Sequence, residues 1–183
     1  MPLTSEEIRR SLVDLARRWS LYRGSERAEA QTFLNELFAC YGTDRRQAGA
    51  RFEDPQEGKF LDLIWPRVCL IEMKRPAEAG RLAAHRRQAL DYWEHSADPQ
   101  RNIPAPRYVV LCAFQRFEVW EPGAFPGGPR AEFELRELPE RADALVCLAG
   151  HEPVFTATQA AVTREAVDLI TSTETWVAGC DAV

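Results

Sequence analysis

The sequence has no apolar run approaching the roughly 18 residues that a membrane span requires, and its N-terminus lacks the apolar stretch of a secretory signal. It also lacks a disulfide framework. Cys40, Cys69, Cys112, Cys147 and Cys180 are odd in number, widely spaced and mostly inside apolar runs, the pattern of reduced core residues in a cytoplasmic protein rather than of a zinc site. There is no basic excess: a net charge of −5 and a pI near 5.3 argue against an avid, sequence-independent binder of nucleic acid, because neutralising several phosphates takes a basic surface. No Gly-x-Ser-x-Gly elbow occurs, and His85, His95 and His151 stand without a nucleophile at motif spacing, which speaks against a serine or cysteine hydrolase. The absence of a Gly-x4-Gly-Lys-Ser/Thr loop means that the chain itself should not hydrolyse ATP.

What is present is enough chain, 183 residues, for one compact domain with a sizeable core and a terminal appendage. Its most informative stretch is Phe60 to Lys74, two short apolar strands around a tight turn, interrupted by Asp62, Glu72 and Lys74. Side chains alternate along a strand, so Val68, Leu70, Glu72 and Lys74 share one face, and Phe60, Asp62 and Ile64 share another. Whether these faces coincide depends on loop parity. A two-residue Pro66-Arg67 turn would set Asp62 beside Ile71, on the wrong side. A three-residue loop, Pro66 to Val68, pairs Trp65 with Cys69 and puts Asp62 across from Glu72, so an odd loop or a bulge is predicted.

In that register two carboxylates converge at the end of a strand pair. A hard divalent cation such as Mg²⁺ takes this arrangement: oxygen ligands, few of them from protein, the rest water and substrate phosphate. Lys74 beside them would orient or deprotonate a water and offset charge on a phosphate oxygen. Acidic net charge is compatible with this, since metal-binding carboxylates add negative charge when no metal is bound. The competing reading is a strand that places Lys74 at its solvated end with Glu72 paired to it. Three charges interrupting apolar strand runs weigh against it.

Along the chain, Thr4-Ser5-Glu6-Glu7 is a capping box opening a helix to about Tyr22, with Ile8, Leu12, Leu15 and Trp19 on one stripe. A second helix runs from Ser25 to Tyr41, stopped by Gly42, and buries Phe33, Leu34, Leu37 and Phe38. Glu26 is in line with Ala30, Phe33 and Leu37; it either reaches inward to the carboxylate pair or complements the helix dipole from the first turn. Thr43 to Lys59 is polar and turn-rich, with a short strand around Arg51 to Glu53; Arg45 and Arg46 there are either phosphate contacts or solvated surface. After Arg75-Pro76 a helix is predicted from Ala79 to His95, with Leu82, Ala83, Leu90 and Trp93 buried and Arg81, His85, Gln88 and Tyr92 on another face. Arg107 to Cys112 reads as a strand covered on both sides, completing a parallel crossover. Phe117 to Glu121 is a further strand, Ala131 to Leu138 an edge strand, Pro139 to Ala149 a short helix stopped by Gly150, and Thr158 to Ile170 a last helix.

The order helix, strand, charged hairpin, helix, strand resembles the PD-(D/E)xK nuclease superfamily. More closely it resembles the N-terminal nuclease domains of Type IIG and IIL single-chain restriction-modification enzymes and of Type I restriction subunits. The residues that carry the likeness are Glu26-Arg27-x3-Gln31-x-Phe33, Phe60-x-Asp62, Glu72-Met73-Lys74, Gln88-x3-Tyr92, and Val109 to Cys112 leading into Phe117 to Trp120, over about residues 25 to 121. The resemblance implies an α/β fold, a restriction-endonuclease-like mixed β-sheet flanked by helices. It also implies hydrolysis of DNA phosphodiester bonds with Mg²⁺, or Mn²⁺ in its place. Asp62, Glu72 and the Met73 carbonyl would hold the metal, Lys74 would position water, Glu26 would assist, and Gln88, Tyr92 and Gln31 would support the site or contact DNA. The proline that usually precedes the first acid is replaced by Leu61.

By the same resemblance, residues 1–138 form the nuclease domain and 139–183 a helical extension, the start of a spacer toward a methyltransferase domain. No Asn-Pro-Pro-Tyr motif or cofactor glycine loop is present, so methylation and target recognition are expected from a domain or subunit in cis or trans, the chain being an excised domain, a truncated product or a subunit. Double-strand cleavage would need two such sites, through a homodimer or a partner. The alternative functions are a catalytically silent nuclease fold that binds DNA or assembles a complex, and an unrelated α/β domain in which the three charges form a structural ion pair.

Overall fold

The protein is described by a computed structural model over residues 3–56, 59–97, 100, 104–153 and 155, with residues 26–28, 53–56 and 59–61 described by their backbone only. The helix expected over 158–170, the tail around Trp176 and Cys180 lie outside the described residues. Helix α1 (Ser5–Trp19) begins with the expected capping box: the Thr4 hydroxyl accepts the Glu7 N–H at 3.3 Å and Glu7 returns a carboxylate to the Thr4 N–H at 2.8 Å. Helix α2 (Glu26–Cys40) and a short α3 (Arg45–Ala48), capped by Asp44 and ended by left-handed Gly49, lead into the sheet.

Six strands follow: β1 (Arg51–Gln56), β2 (Lys59–Trp65), β3 (Cys69–Met73), β4 (Tyr108–Cys112), β5 (Arg116–Trp120) and β6 (Ala131–Glu134). They lie side by side in chain order, so every pair is antiparallel except β3 with β4, which run parallel with Cys69 opposite Tyr108 and Met73 opposite Cys112. The mixed sheet flanked by helices is therefore as the sequence predicts. Period-2 alternation divides it into two faces. Leu63, Ile71, Met73, Val110, Phe117 and Val119 join Leu12, Leu15, Phe33, Leu34 and Phe38 of α1 and α2 in the larger core. Ile64, Leu70, Val109, Leu111 and Trp120 form a thinner layer under α4 (Arg86–Glu94), through Ala89 and Tyr92. Fully buried Phe33, Phe38, Phe114 and Phe117 each contribute roughly 2–3 kcal/mol relative to exposure. The α1/α2 side thus carries most of the apolar stabilisation, and the α4 side is left to hold charge.

Three sequence expectations are corrected. The helix predicted over 79–95 is a 3₁₀ segment, Pro76–His85, bent at Arg81 (φ −131°), followed by α4. Pro76 starts it and Gly80 weakens its middle, and three residues per turn in place of 3.6 shifts the phase of the buried face. Leu82 is buried as expected, but Ala89 and Tyr92 take the core positions assigned to Leu90 and Trp93, and Ala83 is exposed. The edge strand predicted to Leu138 stops at Glu134, where the Glu137 carboxylate accepts the Glu134 N–H at 2.7 Å and turns the chain into a 3₁₀ turn, Leu135–Glu137. Finally, the segment 139–149 folds as a 3₁₀ helix only from Ala142 to Ala149; it ends at left-handed Gly150 as predicted and packs Ala144, Leu145, Cys147 and Leu148 into the larger core.

The loop between β2 and β3 has the predicted three residues. Trp65 pairs with Cys69, the Val68 N–H donates to the Trp65 carbonyl at 3.0 Å, and Arg67 has φ +69°. Proline second and positive φ third is the type II turn pattern, in which the third residue is best glycine. Arg67→Gly is expected to match or exceed wild-type stability by up to about 1 kcal/mol and Arg67→Val to lose more than about 1 kcal/mol, in urea melts. On the other face, Arg86 at the start of α4 donates twice to Glu118, at 2.8 and 3.0 Å, and Glu118 is 2% exposed. Arg86→Met, which leaves that carboxylate buried and charged, should cost about 3 kcal/mol, while Arg86→Met with Glu118→Leu should recover most of it.

Candidate active site

Three ladder positions, Trp65–Cys69, Ile64–Leu70 and Leu63–Ile71, fix the register of β2 on β3, and the next position sets Asp62 across from Glu72. The backbone ladder ends there. Asp62 takes over with its side chain: its Oδ2 accepts the Met73 N–H at 2.7 Å. That bond places the Asp62 carboxylate at the end of β3. In extended backbone a residue exchanges its N–H and C=O with the same neighbouring strand, so the Met73 carbonyl lies on the β2 side as well.

Glu72 is 3% exposed on the α4 face, in phase with Leu70. Its Oε1 receives the Lys74 ammonium at 2.6 Å, with the two side chains only 4% and 13% exposed. Burying both charges costs several kcal/mol per ion before their attraction is counted, so such a pair is weak evidence of a stabilising role. The other Glu72 oxygen, Oε2, is buried and accepts no hydrogen bond from a described residue. The Lys74 N–H donates to the Cys112 carbonyl at 2.7 Å, which ties the lysine to β4.

The donor set is suited to a hard cation: carboxylate oxygens from two strands and a main-chain oxygen beside them. Among the described residues no three His, Cys, Asp or Glu side chains gather as a metal cluster. A complete cage of protein side chains, as zinc or calcium prefers, is not offered; Mg²⁺, which keeps several waters, asks for less. Cysteine chemistry is absent from the site. Cys40, Cys69, Cys112 and Cys147 are buried and unbridged, and burial pushes the Cys40 thiol up to about 11 and the Cys112 thiol higher still. For Cys69 the nearby Cys147 thiol is the larger cause and burial adds to it. None of these three is a thiolate nucleophile at neutral pH.

Gln88 and Tyr92 are brought together: the Gln88 amide donates to the Tyr92 hydroxyl at 2.8 Å, one turn apart on α4. Tyr92 packs in the layer containing Leu70 and Leu111, so the pair stands over the face from which Glu72 projects. Glu26 and Gln31 come from the other side. Both are on α2, whose buried residues belong to the opposite layer; Gln31 is exposed there, and the Glu26 side chain lies outside the described residues.

Two groups of charges escaped the sequence reading. The first is a row across the sheet: Glu72 is opposite Leu111, Leu111 opposite Glu118, and Glu118 opposite Glu132. Arg86 bridges Glu118 and Glu132, and Trp120 Nε1 donates to Glu118 at 3.2 Å. Only strand order reveals that row. The second is Glu78, buried in the 3₁₀ segment, whose Oε1 faces Arg81 at 2.9 Å and Arg75 at 3.5 Å, and whose Oε2 meets His85 Nε2 at 3.1 Å. Hydrogen bonds from His85 and then Arg81 hold its carboxyl below the usual range. The density of basic residues after Lys74 was its available signal.

Comparison with curated proteins and with solved structures finds no match. A protein-family model does match: MmeI, N-terminal domain, over residues 9–172. Because that match takes in most of the 183 residues, the chain belongs to the MmeI N-terminal domain family, a domain of type IIG restriction-modification enzymes.

Proposed function

We propose that this domain is a Mg²⁺-dependent DNA endonuclease of the PD-(D/E)xK kind, serving restriction-modification or phage defence. The observation that carries the reading is the register of β2 on β3, which brings Asp62 to the Met73 backbone beside the buried Glu72–Lys74 pair. A structural ion pair needs neither burial nor a second acid one strand away. Asp62, Glu72 and the Met73 carbonyl would hold Mg²⁺, which on binding supplies a Lewis acid for the phosphate and an acidified water. Glu72 fixes the Lys74 ammonium, so that the lysine can orient the attacking water and offset charge on a phosphate oxygen. The Gln88–Tyr92 pair braces α4 above that face or contacts DNA; Glu26 would assist from the start of α2, and Gln31, exposed on α2 in the opposite layer, is left out of the site. A methyltransferase and a target-recognition domain or subunit would supply sequence choice, with residues 139–183, whose 142–149 segment packs into the domain core, leading into the connecting spacer, and a second copy or partner would supply the second strand cut.

With plasmid DNA and Mg²⁺ or Mn²⁺, wild-type protein should nick, chelation should stop it, and Asp62→Ala and Lys74→Ala should each lose about a hundredfold or more. Nicking that survives both changes sinks this site, metal binding without nicking points to a missing partner, and no metal binding favours the structural reading. A stability measurement separates the structural reading. Glu72→Met with Lys74→Met should leave unfolding free energy unchanged or raised by up to about 4 kcal/mol while removing metal binding. A large loss of stability would mean that the pair is there to hold the fold.

A further inference from the structure

The chain is acidic overall, yet residues 74–87 carry Lys74, Arg75, Arg81, Arg86 and Arg87 against the single acid Glu78. This segment starts at the candidate metal site and is held to the sheet at both ends. At one end the Lys74 N–H bonds the Cys112 carbonyl, and at the other Arg86 grips the buried Glu118 carboxylate. Pro76 and Leu82 are buried between them. The backbone of the segment is therefore pinned before any ligand arrives.

Its charges are arranged unequally. Arg86 is committed to Glu118 and Glu132. Arg75 and Arg81 share one oxygen of Glu78 and are 67% and 72% exposed, so two guanidinium groups lean on one buried carboxylate and retain a net positive charge toward solvent. Each guanidinium has five N–H donors in a planar fork, and the contact to Glu78 leaves most of them for phosphate oxygens. Arg87 is exposed one residue beyond the tether. Between these cations the outward positions are small, Ala77, Gly80, Ala83 and Ala84, so no long side chain keeps a polymer backbone at a distance.

We infer that the strap of residues 75–87 is the surface that grips the phosphate backbone of duplex DNA, with Arg75, Arg81 and Arg87 as the phosphate contacts and Glu78 as the residue that positions the first two. The inference rests on the nuclease reading and supplies what an acidic chain otherwise lacks, a local basic track next to Asp62, Glu72 and Lys74. It also assigns the strap's fixed shape a purpose: a phosphate seated on Arg75 lies one residue from Lys74, and Arg81, on the same Glu78 oxygen, continues the track away from it.

The test is binding of a fluorescently labelled DNA duplex by the full chain in Ca²⁺, titrated over a range of salt. Each phosphate neutralised contributes about 0.9 to the slope of log affinity against log salt. Arg75→Ala with Arg81→Ala should weaken binding by about tenfold or more and lower that slope by about 2. Arg75→Lys with Arg81→Lys should keep the slope and lose part of the affinity, and Arg17→Ala, an equally exposed arginine on α1, should change neither. Circular dichroism melts confirm folding of each. An unchanged slope in the double alanine variant overturns the strap even if plasmid nicking persists, and so does a wild-type protein that binds no duplex at about 10⁻⁴ M, the weak end of non-specific binding. Strap-dependent binding with no nicking leaves the strap standing and fails the nuclease reading instead.

Discussion

Everything about the candidate site depends on how many residues separate β2 from β3. Side chains alternate with a period of two, so a loop of even length would carry Asp62 to the α1/α2 face while Glu72 stayed on the α4 face. Pro66 and the positive φ of Arg67 make the odd loop, and the three apolar pairs above it, Trp65–Cys69, Ile64–Leu70 and Leu63–Ile71, hold the strands in phase. A left-handed arginine costs about 1 kcal/mol of backbone energy. That cost is small beside the burial of Leu63 and Ile71, each completely inside the larger core, which would be lost if the register slipped by one.

The two faces of the sheet divide the work. Beneath α1 and α2 the packing is aromatic and aliphatic, with Trp19, Phe33 and Phe114 within 5.2–5.7 Å of one another by ring centroid. Beneath α4 the apolar layer is thin, and acids hold much of the surface: Glu72 with Lys74, Glu118 with Arg86, and Glu132 with Arg86 and Arg116. Buried ion pairs add little to stability compared with apolar residues of similar size. A protein can keep several of them on one face only if the other face supplies the margin.

The hairpin was fully legible because strand parity and loop length are local. Its pairing, its turn and the approach of Asp62 to the end of β3 all follow from residues 60–74. Capping at Thr4 and Glu7 and the stop at Gly150 were legible for the same reason. The segment after Lys74 was not. Its apolar spacing suits an α-helix, but Pro76, Gly80 and burial of Glu78 favour 3₁₀ turns, and the altered phase exchanged Leu90 and Trp93 for Ala89 and Tyr92. Glu118 was read only as part of a further strand, Phe117 to Glu121; its burial makes sense only with Arg86, thirty-two residues earlier, delivered by α4. One clue did sit in plain composition. Of the 23 basic residues only Lys59 and Lys74 are lysine, and a lysine brings a compact point charge on a flexible stem where arginine brings a planar fork.

Met73 is flanked by two anchored peptides: the Glu72–Met73 N–H donates to the Asp62 carboxylate of β2, and the Met73–Lys74 N–H donates to the Cys112 carbonyl of β4. Position 62 is therefore linked to position 74 through two successive peptide planes that meet at Met73. The acid and the lysine cannot drift apart independently: any change that moves one strains the backbone that aims the other.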